Sequence, residues 1–228
     1  MIDSLKHAHF EMQPLEARLQ LSGAADLTGT TATLSTPAYA VAAVTVGTKA
    51  LFAHDTLFAH DRGVDIFDSK TNQWSTTNFP QDFRCATAAR AGTKAIFAGS
   101  SADASDTNLV DVFDSVSGTW AVNKVPRVGS IIQSASIGDQ AFFFGRDQFG
   151  SSYVLSYNGK TSKWGVLPFP TFNDLDNMVA VGTKLIFSFT SDYPTVYDVM
   201  TRRWSLLPKT SNSPRFVDGI AVGARPKW

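Results

Sequence analysis

The chain has 228 residues, 43% of them hydrophobic and 18% charged, with 20 basic and 20 acidic side chains and a formal net charge of zero. No global field draws such a protein to nucleic acid or to an anionic membrane, so neither is expected as a partner. The single cysteine, Cys85, excludes an intramolecular disulfide and fits a reducing compartment. No run of 18 apolar residues occurs, and the start, MIDSLKHAHFEMQP, lacks the apolar stretch of a secretory signal, so a cytoplasmic protein is expected.

Residues 1–28 read as an irregular arm, because Pro14 interrupts a helix-friendly stretch that has no 3.6-residue apolar stripe. Thr30 to Ser35 (TTATLS) is rich in β-branched residues and is followed by Pro37, the mark of a short strand. From Ala40 a repeat takes over, with units at about 40–80, 85–126, 131–168 and 175–208. Each opens on an apolar run that ends in Gly47-Thr48-Lys49, Gly92-Thr93-Lys94, Gly138-Asp139-Gln140 or Gly182-Thr183-Lys184. Glycine supplies the positive φ that a tight hairpin needs, so two strands are expected to flank each triplet. A third strand carries Phe67, Phe113, Tyr157 or Tyr197, and a fourth carries Trp74, Trp120, Trp164 or Trp204, always seven positions later.

Each unit is thus expected to be an up-and-down antiparallel sheet of four strands. One such sheet cannot cover both its apolar faces, and copies stacked around an axis can, which makes the expected fold an all-β propeller. Burial of roughly 150–250 Å² per indole makes each Trp worth roughly 4–6 kcal/mol gross, so all four are assigned to contacts between blades. Residues 217–222 stand before Gly223 as residues 41–46 stand before Gly47. A fifth blade shared between residues 29–37 and 214–228 is therefore expected, and it would remove exposed sheet edges. An incomplete ring would have to complete itself by forming an oligomer; a closed one would be a monomer.

The hydrophobic quartets and the aromatic-x6-Trp spacing resemble the kelch repeat over residues 40–208. The double glycine of that family is degenerate, its place taken by His54-Asp55, Gly99-Ser100, Gly145-Arg146 and Phe189-Thr190. The resemblance implies a β-propeller that binds a protein or peptide partner on its loop rim without catalysis.

The most unusual local feature is LFAHDTLFAHD at residues 51–61, a duplicated pentapeptide that is expected to set His54, Asp55, His60 and Asp61 in the loop after the second strand. Two imidazoles and two carboxylates could hold a divalent metal or act as acid and base, although H-x5-H is not an established zinc spacing. The plainer reading is a solvated loop. Equivalent loops of the other units carry Asp103 and Asp106, then Arg146, Asp147 and Phe149, then Asp192 and Tyr193, all on one rim. Acids, an arginine and exposed aromatics together are what protein-binding surfaces show, and polar loops show the first of these anyway. Ser130 and Ser134 are candidates to face the central channel, and Cys85 reads as a buried structural thiol just before a first strand. No G-x-S-x-G, H-E-x-x-H, P-loop or G-x-G-x-x-G is present, so whether the chain is an enzyme stays open. The alternative to the interaction module is a hydrolase of a small ester or lactone at the channel mouth, with or without a divalent metal. A third reading is a glycan or small-molecule binder using Tyr193 and Phe149. No cofactor beyond that metal is expected.

Overall fold

A computed structural model describes residues 39–55, 62–81, 83–101, 108–127, 129–167, 175–189 and 194–207. The chain divides into two units, Met1–Thr33 and Leu34–Trp228, and the described residues belong to the second. The expected arm at residues 1–28 and the shared blade at 29–37 and 214–228 lie outside them. Among the described residues no helix is long and apolar enough to cross a membrane.

Sheet 1 comprises β1 (Tyr39–Val46), β2 (Lys49–Asp55), β3 (Gly63–Asp68) and β4 (Gln73–Asn78). Sheet 2 comprises β5 (Phe83–Ala91), β6 (Lys94–Ser101), β7 (Leu109–Asp114) and β8 (Thr119–Lys124). Sheet 3 comprises β9 (Ser130–Ile137), β10 (Gln140–Arg146), β11 (Ser152–Asn158) and β12 (Lys163–Leu167). Sheet 4 comprises β13 (Leu175–Val181), β14 (Lys184–Phe189), β15 (Thr195–Asp198) and β16 (Arg203–Leu206). In every sheet the spatial order follows the chain order, and all pairings are antiparallel.

The recurrent residues each close one corner of a sheet. Gly47, Gly92, Gly138 and Gly182 turn between the first two strands at φ of 59, 61, 57 and 58°. The lysine after three of them reaches across to the third strand: Lys49 to Asp68 at 2.6 Å, Lys94 to Asp114 at 3.0 Å and Lys184 to Asp198 at 2.6 Å. The same aspartates accept the amides of Lys70, Val116 and Met200 in the next turn. Phe67, Phe113, Tyr157 and Tyr197 are the direct cross-strand partners of Trp74, Trp120, Trp164 and Trp204, which is why the spacing never varies. Their ring centroids lie 4.8–5.2 Å apart, within the range of favourable aromatic pairing.

Three apolar clusters join consecutive sheets. Leu51, Ala53, Val64 and Ile66 of sheet 1 meet Phe97 and Phe113 of sheet 2. Ile96, Ala98, Val110 and Val112 of sheet 2 meet Phe143, Leu155 and Tyr157 of sheet 3. Phe142, Phe144 and Val154 of sheet 3 meet Leu185, Phe187 and Tyr197 of sheet 4. Because side chains alternate along a strand, β10 sends Phe143 to one neighbour and Phe142 and Phe144 to the other. The first strands of sheets 2 and 3 are also stitched by polar groups. Ser134 Oγ lies 2.6 Å from Thr87 Oγ1 and donates to the Ala88 carbonyl at 2.9 Å, and the Arg90 amide donates to Ser136 Oγ at 2.8 Å. Ser134, expected to face a channel, is therefore occupied in holding two sheets together.

Two further expectations need correction. The tryptophans are not equally wedged between sheets: Trp120, Trp164 and Trp204 pack against the three clusters, whereas Trp74 is 42% exposed. Trp74 lies with Phe52 and Phe67 on the face of sheet 1 turned away from sheet 2, and no described cluster joins that face to another described sheet. Cys85 is buried as expected, but it sits inside β5 rather than before it.

Candidate functional site

Backbone hydrogen bonds separate the two ends of the sheets. At one end the β3–β4 type of turn is tied to the glycine turn, through Ser69 to Thr48, Ser115 to Thr93, Gly159 to Asp139 and Val199 to Thr183. At the other end the residue after the fourth strand is tied to the residue before the third, through Phe79 to Arg62, Val125 to Asn108 and Leu207 to Pro194. Of the candidate binding residues, His54, Asp55, Arg146 and Asp147 are described, and they lie at or beside this second end. The others, His60, Asp61, Asp103, Asp106, Asp192 and Tyr193, fall outside the described residues.

His54 and Asp55 were expected in a loop, but β2 runs on through both. His54 is only 2% exposed, with Nε2 3.0 Å from Asp65 Oδ2, close but not aligned as a hydrogen bond. Asp65 is equally buried, and its Oδ1 accepts the hydroxyl of Thr76 at 2.8 Å. The pairing arises because β2 and β3 are antiparallel neighbours with Phe52 opposite Asp65. An imidazole held there is sequestered from a partner or substrate at the rim. Among the described residues, no three His, Cys, Asp or Glu side chains come together as a metal site.

Arg146 ends β10 half-buried, and Asp147 opens the tight turn that follows. Asp147 Oδ1 accepts the amides of Phe149 at 2.9 Å and Ser151 at 2.8 Å. Its backbone closes the same turn, with Gly150 N donating to Asp147 O and Asp147 N donating to Ser151 O. Gly150, at φ 79°, supplies the left-handed residue the turn requires. Asp147 is thereby spent on the turn, and the side chain it presents is Phe149, which is 82% exposed.

Beneath this rim, sequence reasoning missed two buried polar positions. Asp111 is wholly buried between sheets 1 and 2, where Gln81 Nε2 donates to Oδ1 at 2.9 Å and Oδ2 meets no donor among the described residues. Burial pushes its carboxyl up to about 6, against the downward pull of the Gln81 hydrogen bonds and the nearby Arg62 charge. Between sheets 2 and 3, burial and the charge of Asp147 push the Tyr153 phenol up to about 12, opposed by Arg127. Gln81 and Arg127 both follow the proline after a fourth strand, so one linker position addresses the third strand of the next sheet. The signal for Asp111 was present in VDVF, matched by Asp65 in VDIF, where a charged residue interrupts a buried strand.

Four consecutive four-stranded antiparallel sheets, packed face to face with their first strands adjacent, define the class: this chain has the β-propeller fold. Solved structures agree. A structure of YjhT is similar at a TM-score of 0.56 and 14% identity over 79% of this chain and 68% of its own. The WD40 repeats of RRP9 and a structure of U3-55K are each similar at a TM-score of 0.56 and 10% identity. These two alignments cover 76% of this chain but only 52% and 53% of theirs. No family model matches the chain, and no curated protein matches it. The likeness is one of fold.

Proposed function

We propose that the chain is a non-catalytic interaction module, a kelch-like propeller that binds a protein or peptide partner on the rim carrying the β2–β3, β6–β7, β10–β11 and β14–β15 loops. The observation that carries this reading is Phe149, a large apolar side chain left 82% exposed at the tip of an ordered turn. An exposed aromatic normally loses side-chain and backbone freedom when it is captured. Here the Asp147 hydrogen bonds have already restricted the backbone, so less ordering remains for binding to oppose. Arg146 and Asp147, which precede Phe149 in the chain, supply the start of the polar border that surrounds such anchors. The kelch-like assignment is supported by the aromatic–tryptophan pair facing across the outer hairpin of all four sheets.

Selection of ligands from a displayed peptide library by the full chain tests the reading. Enriched peptides should lose about tenfold or more in affinity against Phe149→Ser. Peptides that bind Phe149→Ser as tightly as the parent chain, or a library that yields no enrichment, would overturn it.

A further inference from the structure

The four sheets share one plan, so each serves as a reference for departures in the others. Several departures meet at one place, at the tight-turn end and thus away from the rim proposed above. A cleft of about 300 Å³ opens between β10, β11 and β12 of sheet 3 and β15 with its following turn in sheet 4, its lining including Gln140, Phe142, Ser156, Leu167, Tyr197 and Arg202.

Its floor exists because sheet 3 is locally undersized. Ser156 stands where the other sheets have Ile66, Val112 and Val196, and its cross-strand partner Gly165 stands where they have Ser75, Ala121 and Ser205. Space that a branched side chain fills elsewhere is left open against Phe142, Leu167 and Tyr197.

Its mouth is changed as well. Gln140 replaces the lysine of the other sheets, and its register partner Asn158 replaces their aspartate, so the ion pair at this register position in three sheets is absent and the corner is tied instead by Lys160 to Asp139 at 2.7 Å. Arg202 occupies the left-handed position of its turn at φ 58°, where the other three sheets place Asn72, Gly118 and Ser162. Glycine and asparagine tolerate that conformation, and arginine has no local reason to take it. Its guanidinium is exposed, and among the described residues it makes no ion pair or side-chain hydrogen bond. A strained backbone position that delivers an unpaired cation to a mixed polar and apolar cleft is of the kind that accompanies ligand recognition.

We infer that this cleft binds a carboxylate carried on a small apolar body. Arg202 takes the carboxylate through its forked donors, with the Gln140 amide beside it, and the body lies over Phe142, Leu167 and Tyr197 in the space left by Ser156 and Gly165. At about 300 Å³ the cleft is at the small end of ligand sites, which suits a single ring or branched chain rather than an extended molecule. Either a free acid or the last residue of a peptide carries this chemistry.

The test is an NMR titration of the full chain with phenylacetate and with a short N-acetylated peptide ending in leucine, each beside its neutral amide. At least one acid should bind about tenfold or more tightly than its amide, and the tighter acid identifies the source. Arg202→Asn, which installs the residue of sheet 1, should weaken that binding about tenfold while leaving the thermal midpoint unchanged or higher. Ser156→Val should abolish binding by filling the floor; if that variant does not fold, Arg202→Asn alone decides. The inference is overturned if neither acid gives saturable shifts up to about 10 mM, if acids and amides bind alike, or if Arg202→Asn binds as the parent does.

Discussion

Replacing Asp111 by asparagine perturbs a single buried charge at the contact between sheets 1 and 2. The folded chain holds this carboxyl at about 6, against an ordinary value of 3.8. Between those values the native state binds more protons than the unfolded chain, so Asp111's contribution to stability falls as pH rises from about 4 to about 6 and is flat above that. Holding the carboxyl at about 6 rather than 3.8, at about 1.4 kcal/mol for each tenfold change in proton affinity, sets the loss at about 3 kcal/mol. Asparagine keeps an oxygen for Gln81 but puts an amide nitrogen where Oδ2 meets no partner among the described residues, which costs about 1–3 kcal/mol at every pH. In urea denaturation followed by tryptophan fluorescence, Asp111→Asn should be less stable than the parent at pH 4.5. The difference between variant and parent should then move in the variant's favour by about 2–3 kcal/mol by pH 7.5. A difference that stays constant within about 0.5 kcal/mol, or moves the other way, would show that Asp111 is not charged in a dry site.

Asp68 and Asp198 should behave oppositely. Their lysine partners and turn amides hold both carboxyls at about 2, so the stability they contribute is present above pH 3.8 and lost as pH falls toward 2, and carboxyl NMR titration should place both midpoints about there. Trp120→Ala should cost about 3–5 kcal/mol in the same denaturation assay, because the indole lies against Phe79, Phe97 and Phe113, whereas Trp74→Ala should cost about half of that. Equal costs would contradict the difference in burial. Gly159→Ser installs the residue that sheets 1 and 2 carry as Ser69 and Ser115, yet it should destabilise by about 2 kcal/mol or more, because a Cβ there would lie 2.1 Å from the Ala91 carbonyl oxygen. A thermal midpoint unchanged from the parent would refute that contact.

The legible part of this fold is the part with a short period. Gly47 and its three counterparts predict a turn because only a left-handed residue closes so tight a hairpin, and all four turns are there. The Phe67–Trp74 spacing predicts a hairpin, and the two rings face each other across it. His54 was misplaced for the opposite reason. Nothing in LFAHD tells where β2 ends, since that depends on Asp65 arriving opposite from β3 to share the buried site. Ser134 looks like any exposed serine until β5 lies beside it. Phe149 was legible as a rim aromatic, while the turn that orders it emerges only when Asp147 folds back on the two amides.

By itself the sequence determined the four-stranded unit, its turns and its repetition, because these rest on torsional preference and on contacts within a few residues of one another. Trp74 and Trp120 occupy the same place in that unit, and only tertiary structure made one half-exposed and the other part of a contact between sheets. The same holds for Asp111 and for Arg202, whose neighbours belong to another sheet. Burial and charge are set by whatever lies across a sheet face, and those partners come from units some forty residues away in the chain.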